Sequence, residues 1–230
     1  MDFEKNQRYF EGVSFKGANA LIGWGIVIAV ISFIVLVAAK AAAAIIFLMI
    51  GAGMIVLSVF VRKNTKKKIV TDQDYDMEIV KQLVGLKERA MNKLGLDEDE
   101  VNEIEPITIH GFKYRGYDRA KYGEDFLWRT NKYEAVMFLF SQHELHCYTW
   151  TFDTLKQEQR ERTDVYFYKD IVSVTTETDT VEVLSTKFDC EYFKLTTTGG
   201  TSISASVRDL DNAQRSINAM RALIKNKKMG

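Results

Sequence analysis

From Ala18 to Val61 apolar residues follow one another almost without a break, and Lys40 is the one charged residue among them. The stretch divides into Ala18–Ala39, 22 residues, and Ala41–Val61, 21 residues. Each is long enough to cross a hydrocarbon core of roughly 30 Å at about 1.5 Å per helical residue. A single helix over both would be about twice that length, so the pattern predicts two helices that turn back at Lys40. The small side chains of 38–44 suit a tight tip, and Gly23, Gly25, Gly51 and Gly53 offer positions for close helix packing. Trp24 and Phe60 fall near span ends, at the depth where aromatic rings meet the interface.

Beyond the apolar runs the period changes. Residues 72–94 place Val80, Leu83, Val84, Met91 and Leu94 at helical spacing, with Gly95 as the C-cap. Asp97, with Glu100 three residues on, reads as the start of a second short helix that Pro106 ends. From Ile107 the period becomes two. Ile107–Ile109 is a short strand, while Gly111–Gly123 has no clear period. Tyr133–Phe140 and Glu144–Phe152, separated by Ser141-Gln142-His143, predict a hairpin. The charged stretch 153–163 reads as a loop, and 164–175 as one strand. Phe188–Thr196 and Thr201–Val207 flank Gly199-Gly200 as a second hairpin. Leu210, Ala213, Ile217, Met220 and Ile224 form a helical stripe, started at Asp211 or Asp209 and closed by Arg221, Lys225, Lys227 and Lys228. These elements predict an α-helical transmembrane hairpin plus an α+β domain: an antiparallel sheet or partly open barrel closed by a C-terminal helix.

The run Asp164-Val165-Tyr166-Phe167-Tyr168-Lys169-Asp170-Ile171-Val172-Ser173-Val174 contains a Tyr–x–x–Ile–x–x–Val pattern. With the Gly199-Gly200 hairpin and the terminal amphipathic helix, it resembles bacterial pleckstrin-homology-like domains, over 165–228 and more loosely over 133–152. The chain as a whole resembles uncharacterised bacterial membrane proteins with a two-helix anchor and a cytoplasmic domain. The resemblance implies a pleckstrin-homology-like fold and supplies no activity. The expected organisation is an N-terminal cytoplasmic segment at 1–17, the hairpin at 18–61, a basic collar and helical connector at 62–106, and the β domain with its C-terminal helix at 107–230.

Charge sharpens this picture. The chain is formally neutral, but nine of its 31 Lys and Arg and three of its 31 Asp and Glu precede residue 69, so residues 69–230 hold 22 basic and 28 acidic side chains, net −6. That balance argues against nucleic acid as a partner, which needs a concentrated basic face. Arg62, Lys63, Lys66, Lys67 and Lys68 follow the second apolar run directly, against Lys40 alone at the tip. The asymmetry predicts two spans in the cell membrane with both termini cytoplasmic. The same five residues are the candidate contact with the membrane surface, where each cation adds about 1 kcal/mol beside anionic lipid. A cleavable signal peptide fits poorly, because the first 17 residues carry as many acids as bases. Cys147 and Cys190 lack CxxC spacing and read as reduced core thiols, with a disulfide as the alternative.

Candidate chemistry is sparse. His143, His146 and Cys147 suggest metal ligands, but they lack the i, i+4 helical spacing and the third ligand of a zinc site. Asp97-Glu98-Asp99-Glu100 sits at a helix start, where acids favour the dipole. Glu177 and Asp179 read as a solvated loop. Tyr148, Trp150 and Phe152 share one strand face and are expected to fill the barrel core. No catalytic set and no cofactor motif emerges. The expected function is a non-enzymatic, membrane-anchored interaction module that takes a protein partner or a second copy. The alternatives are anionic-lipid or small-ligand sensing at the inner leaflet, through the basic run 62–68 or through Lys113, Arg115, Arg119 and Lys121 of the Gly111–Gly123 segment, and an enzyme whose site is assembled from distant residues.

Overall fold

A computed structural model describes residues 1–39, 43–101, 105–208 and 210–229. The expected hairpin tip at Lys40 and the alternative helix start at Asp209 lie outside the described residues. The chain forms two compact units, one of residues 7–71 and one joining Met1–Asn6 to Asp72–Gly230. Helix α1 (Phe3–Glu11) runs across the first boundary.

In the unit of residues 7–71, α2 (Lys16–Ala39) and α3 (Ala43–Lys66) pack antiparallel. Both are long and apolar enough to cross a membrane, and only 11% and 17% of their apolar windows are buried. A core helix of a soluble domain would be mostly buried, so this exposure supports membrane association. The helices approach most closely at two glycines. A Cβ on Gly51 would lie 2.8 Å from the Gly25 carbonyl oxygen and 2.9 Å from the Ala29 nitrogen, and one on Gly25 would lie 3.0 Å from the Gly51 carbonyl oxygen. Gly23 and Gly53, also expected to pack, instead face open space. Two residues away along each helix, they turn off the shared face. The Arg62 guanidinium donates to Asn19 Oδ1 at 2.7 Å, tying the start of α2 to the end of α3.

The helix expected over 72–94 is two helices rather than one. Gly85 sits in the left-handed region, φ 76°, and separates α4 (Asp72–Leu83) from α5 (Leu86–Leu94). The break rotates the apolar stripe, so Val80 and Val84 are exposed while Tyr75, Ile79, Leu86, Ala90 and Met91 are buried. Gly95 caps α5 as its position suggests, donating to the Met91 carbonyl. The Asp97 amide donates to Glu100 Oε2 at 2.9 Å, one arm of a capping box at the short α6 (Glu98–Val101).

Among the described residues nine strands follow: β1 (Ile107–Phe112), β2 (Ala120–Tyr122), β3 (Trp128–Thr130), β4 (Lys132–Phe140), β5 (Glu144–Asp153), β6 (Gln159–Phe167), β7 (Ile171–Val183), β8 (Thr186–Thr197) and β9 (Ser202–Ser206). They build a sheet of order β1-β4-β5-β6, the small β2-β3 hairpin, and a sheet of order β7-β8-β9, all antiparallel. The expected strand over 164–175 is two strands, because a 3-10 turn at Tyr168–Asp170 carries the chain from one large sheet to the other. Residues 159–163, expected as loop, begin β6, and Glu177 and Asp179 lie on β7 rather than in a loop.

Val136, Phe138, Phe140, Leu145 and Cys147 of the first sheet meet Val174, Phe193, Leu195 and Ile203 of the third. Helix α7 (Leu210–Met229) closes this layer with Ile217, Met220 and Ile224, all buried, and Arg221 Nε donates to the Val174 carbonyl at 2.6 Å. The sheets touch where β9 passes β1: the Arg208 amide donates to the His110 carbonyl at 3.2 Å and Ser206 Oγ to the Phe112 carbonyl at 2.7 Å. No ladder joins them among the described residues, so no sheet closes into a barrel.

The aromatic face of β5 lies elsewhere than expected. Trp150 pairs with Ala135 and Tyr148 with Met137, on the face opposite the Cys147–Phe138 pair that enters the core. Tyr148, Trp150 and Phe152 therefore line the outer face of the first sheet, which α5 covers, with the Arg89 guanidinium 4.0 Å above the Trp150 ring. Both faces of β5 are buried, by different layers.

Candidate functional site

A concavity of about 850 Å³ lies between the β2-β3 hairpin and the start of β8. Its position depends on a buried arginine. Arg129, 1% exposed, donates from Nε and Nη2 to the two carboxylate oxygens of Asp76 on α4, at 2.9 and 2.8 Å. From Nη1 and Nη2 it donates to Asp125 at 2.8 and 2.6 Å. Arg208 completes the cluster on Asp76. Such a fork is the geometry in which guanidinium and carboxylate bind most strongly. The Glu124 amide donates to Asp72 Oδ2 at 2.7 Å, so α4 holds the hairpin at both its turn and its strand. A Cβ at Gly123 would lie 2.4 Å from Arg129 Nη1 and 2.8 Å from Asp72 Oδ2, so a larger residue there would have to displace the ends of these ion-paired side chains.

Beneath this lies a buried polar layer. Tyr75 Oη donates to the Thr130 carbonyl at 2.8 Å, Asn131 Nδ2 donates to Asp153 Oδ2 at 2.7 Å, and Asn6 Nδ2 donates to the Thr154 carbonyl at 2.9 Å. A buried polar group left unpaired costs about 1–3 kcal/mol. The Tyr75 hydroxyl and the Asn131 and Asn6 amide nitrogens are partnered, while Asn6 Oδ1 finds no partner among the described residues.

The hairpin presents apolar side chains outward. Phe126, at the turn, has φ 64° and is 77% exposed. A non-glycine residue held there costs of order 1–3 kcal/mol, a conformation that clusters at functional sites. Tyr122 lies edge-on to Phe126 and 5.1 Å from Trp128, Trp128 stacks on Phe188 at 6.3 Å, and Tyr114 meets Phe188 edge-on at 5.1 Å. The result is a continuous aromatic wall, with Leu127 half exposed beside it.

The wall continues through Phe188 into a strand edge. Residues Thr186–Glu191 all line the groove consecutively, which an alternating strand can do only along its edge. β9 pairs with β8 from Tyr192 to Thr196, and the Val207 amide adds one bond to the Glu191 carbonyl at 2.9 Å. Amide and carbonyl of one residue point to the same side of an antiparallel strand and alternate along it. Glu191 points to β9, so Lys187 and Asp189 point the same way, beyond the reach of β9. Burial pushes the Cys190 thiol at the groove up to about 11, so it stays protonated at neutral pH. Burial likewise raises the Tyr114 hydroxyl, which donates to the Trp128 carbonyl at 3.2 Å.

The residues singled out from sequence are scattered. Arg62, Lys63 and Lys66 are exposed on the last turns of α3, and Lys67 and Lys68 follow it. Lys113 pairs with Glu134 and Arg115 with Asp179, both at 2.7 Å, in a cleft of about 460 Å³. Lys121 is on β2 and Arg119 just before it. Acids on neighbouring strands thus answer two of the four cations proposed for anionic lipid. His143 lies in the β4-β5 turn, Cys147 in the inter-sheet core, and His146 on the helix-covered face, its pKa lowered by burial, so the three do not converge. Cys147 and Cys190 are both free and buried, on different sheets. Sequence reasoning missed Tyr122, Phe126, Trp128, Phe188 and the edge of β8. The available signal was the Tyr122–Trp128 run, with three aromatics in seven residues bracketing Gly123.

Two apolar helices of membrane-spanning length joined to a separate α+β domain define the class of molecule. The chain matches no known family model and no curated protein sequence.

Proposed function

We propose that this protein is a membrane-anchored, non-enzymatic interaction module whose cytoplasmic domain takes an extended segment of a protein partner as an added strand on β8. The carrying observation is the open edge at Lys187 and Asp189 beside the aromatic wall. An added strand gains main-chain hydrogen bonds from the edge, and alternate side chains enter the pockets beside it. An edge left open is otherwise a liability that proteins blunt. The meander β1-β4-β5-β6, the meander β7-β8-β9 and the closing α7 support a pleckstrin-homology-like reading of the domain. Tyr168, Ile171 and Val174, which carry the sequence resemblance, support it too, because all three lie in the core. The anchor is read as two spans in the cell membrane with both termini in the cytoplasm, from the basic residues 62–68.

The test uses the full chain in lipid nanodiscs, panned against a displayed library of random decapeptides. Enriched peptides should alternate apolar residues and lack proline. Asp189→Pro removes the open-edge amide and, on the β7 side, only the exposed side-chain bond from Thr180 Oγ1 to Asp189 Oδ1, and should weaken such peptides at least tenfold. Asp189→Ala, which loses that side-chain bond but keeps the amide, should not. Phe126→Ser should weaken them as much as Asp189→Pro without loss of stability, since that ring is exposed. Enrichment indifferent to both Asp189→Pro and Phe126→Ser would sink the proposal. Peptide-independent pairing of two chains that Asp189→Pro abolishes would make a second copy the occupant.

A further inference from the structure

Within the helical unit, Phe15, Asn19, Val59, Arg62, Lys63 and Lys66 line an open groove of about 500 Å³ at the end where α2 begins and α3 finishes. Its floor is apolar, from Phe15 and Val59, and its rim carries three cations. No Asp or Glu occurs anywhere between Gly12 and Thr71, so neither α2 nor α3 supplies a counter-charge for that rim. Asn19 accepts from Arg62 and holds the guanidinium at the groove mouth. The carbonyl ends of α3 favour cations there but offer an anion nothing, so the side chains alone set the sign.

We propose that this groove binds one anionic glycerophospholipid, its phosphate among Arg62, Lys63 and Lys66 and its first acyl carbons against Phe15 and Val59. The inference rests on the reading of α2 and α3 as membrane spans. It goes further in naming a site of defined residues: Lys67 and Lys68 are as basic as their neighbours, yet they stand outside the groove. Diffuse attraction to an anionic surface treats all five cations alike. A built site does not.

The experiment first asks whether the full chain, reconstituted in phosphatidylcholine vesicles, resists alkaline extraction. Extraction would overturn the membrane reading and the lipid site with it. The integrated protein is then moved into neutral detergent, and retention of phosphatidylglycerol or phosphatidylcholine is counted by native mass spectrometry. One phosphatidylglycerol per chain is expected, retained at least tenfold better than phosphatidylcholine. Lys63→Gln with Lys66→Gln should lose that preference tenfold, while Lys67→Gln with Lys68→Gln changes it less than twofold. Equal retention of the two lipids, or equal losses in the two double variants, would overturn the site while leaving the anchor intact.

Discussion

At the scale of single residues, Arg129 decides most. It is buried, with carboxylates on two sides, one of them 53 residues away in the sequence. Arg129→Met leaves Asp76 and Asp125 without their fork, and breaking a buried pair from one side costs about 3–5 kcal/mol. Denaturant unfolding of the full chain in detergent should show a loss of that size. The same contact makes a pH prediction. The hydrogen bond from Arg129 holds Asp125 at about 2, below the ordinary carboxylate value. A carboxylate whose folded pKa is depressed contributes stability above its unfolded pKa and loses it as pH falls through the folded one. That contribution should therefore persist to about pH 4 and fade between pH 4 and about 2. Carboxyl NMR should find Asp125 titrating near 2 in the parent and back in the ordinary range in Arg129→Met. Little of this was legible in Trp128-Arg129-Thr130-Asn131. A charged residue in a polar run reads as surface, and only tertiary structure brings Asp76 to it.

At the scale of elements, the periodic segments were readable and the interruptions were not. The two apolar runs, the β4-β5 hairpin, the Gly199-Gly200 hairpin and the stripe of α7 all follow from spacing. The β7-β8 turn escaped because Leu184 and Ser185, both at positive φ, occupy positions where Asn or Gly is usual. The outer aromatic face was misplaced for another reason. Alternation says which residues share a face, but not which face meets the second sheet, and β5 is buried on both. The helix pair offers a sharp test of what spacing could not rank among four glycines. Gly51→Val must push its Cβ against the backbone of α2, and overpacking of this kind costs about 1–3 kcal/mol. Gly23→Ala and Gly53→Ala meet open space and should leave the helix pair unchanged. Cross-linking efficiency between cysteines placed at Asn19 and Arg62 reads the difference: reduced in Gly51→Val, unchanged in the other two.

At the scale of the whole molecule, the antiparallel pairing of α2 and α3 puts Asn19 beside Arg62, so the start of one helix and the end of the other share an end. Charge predicts which side of the membrane that end takes. Five cations fall within seven residues at the end of α3 and just beyond it, and segments rich in Lys and Arg stay cytoplasmic. Single cysteines report the arrangement directly, because Cys147 and Cys190 are buried and should stay silent in the folded chain. With a membrane-impermeant maleimide, Ser14→Cys and Asn64→Cys should label from the cytoplasmic side of vesicles only, and Ala38→Cys from the opposite side only. Labelling of Ser14→Cys and Asn64→Cys from opposite sides would rule out a two-span hairpin. Labelling of all three from one side would lay the helices on the surface instead. Only the predicted pattern leaves Gly111–Gly123, the β2-β3 hairpin and the β8 edge in the cytoplasm, where an extended segment of a soluble partner can reach them.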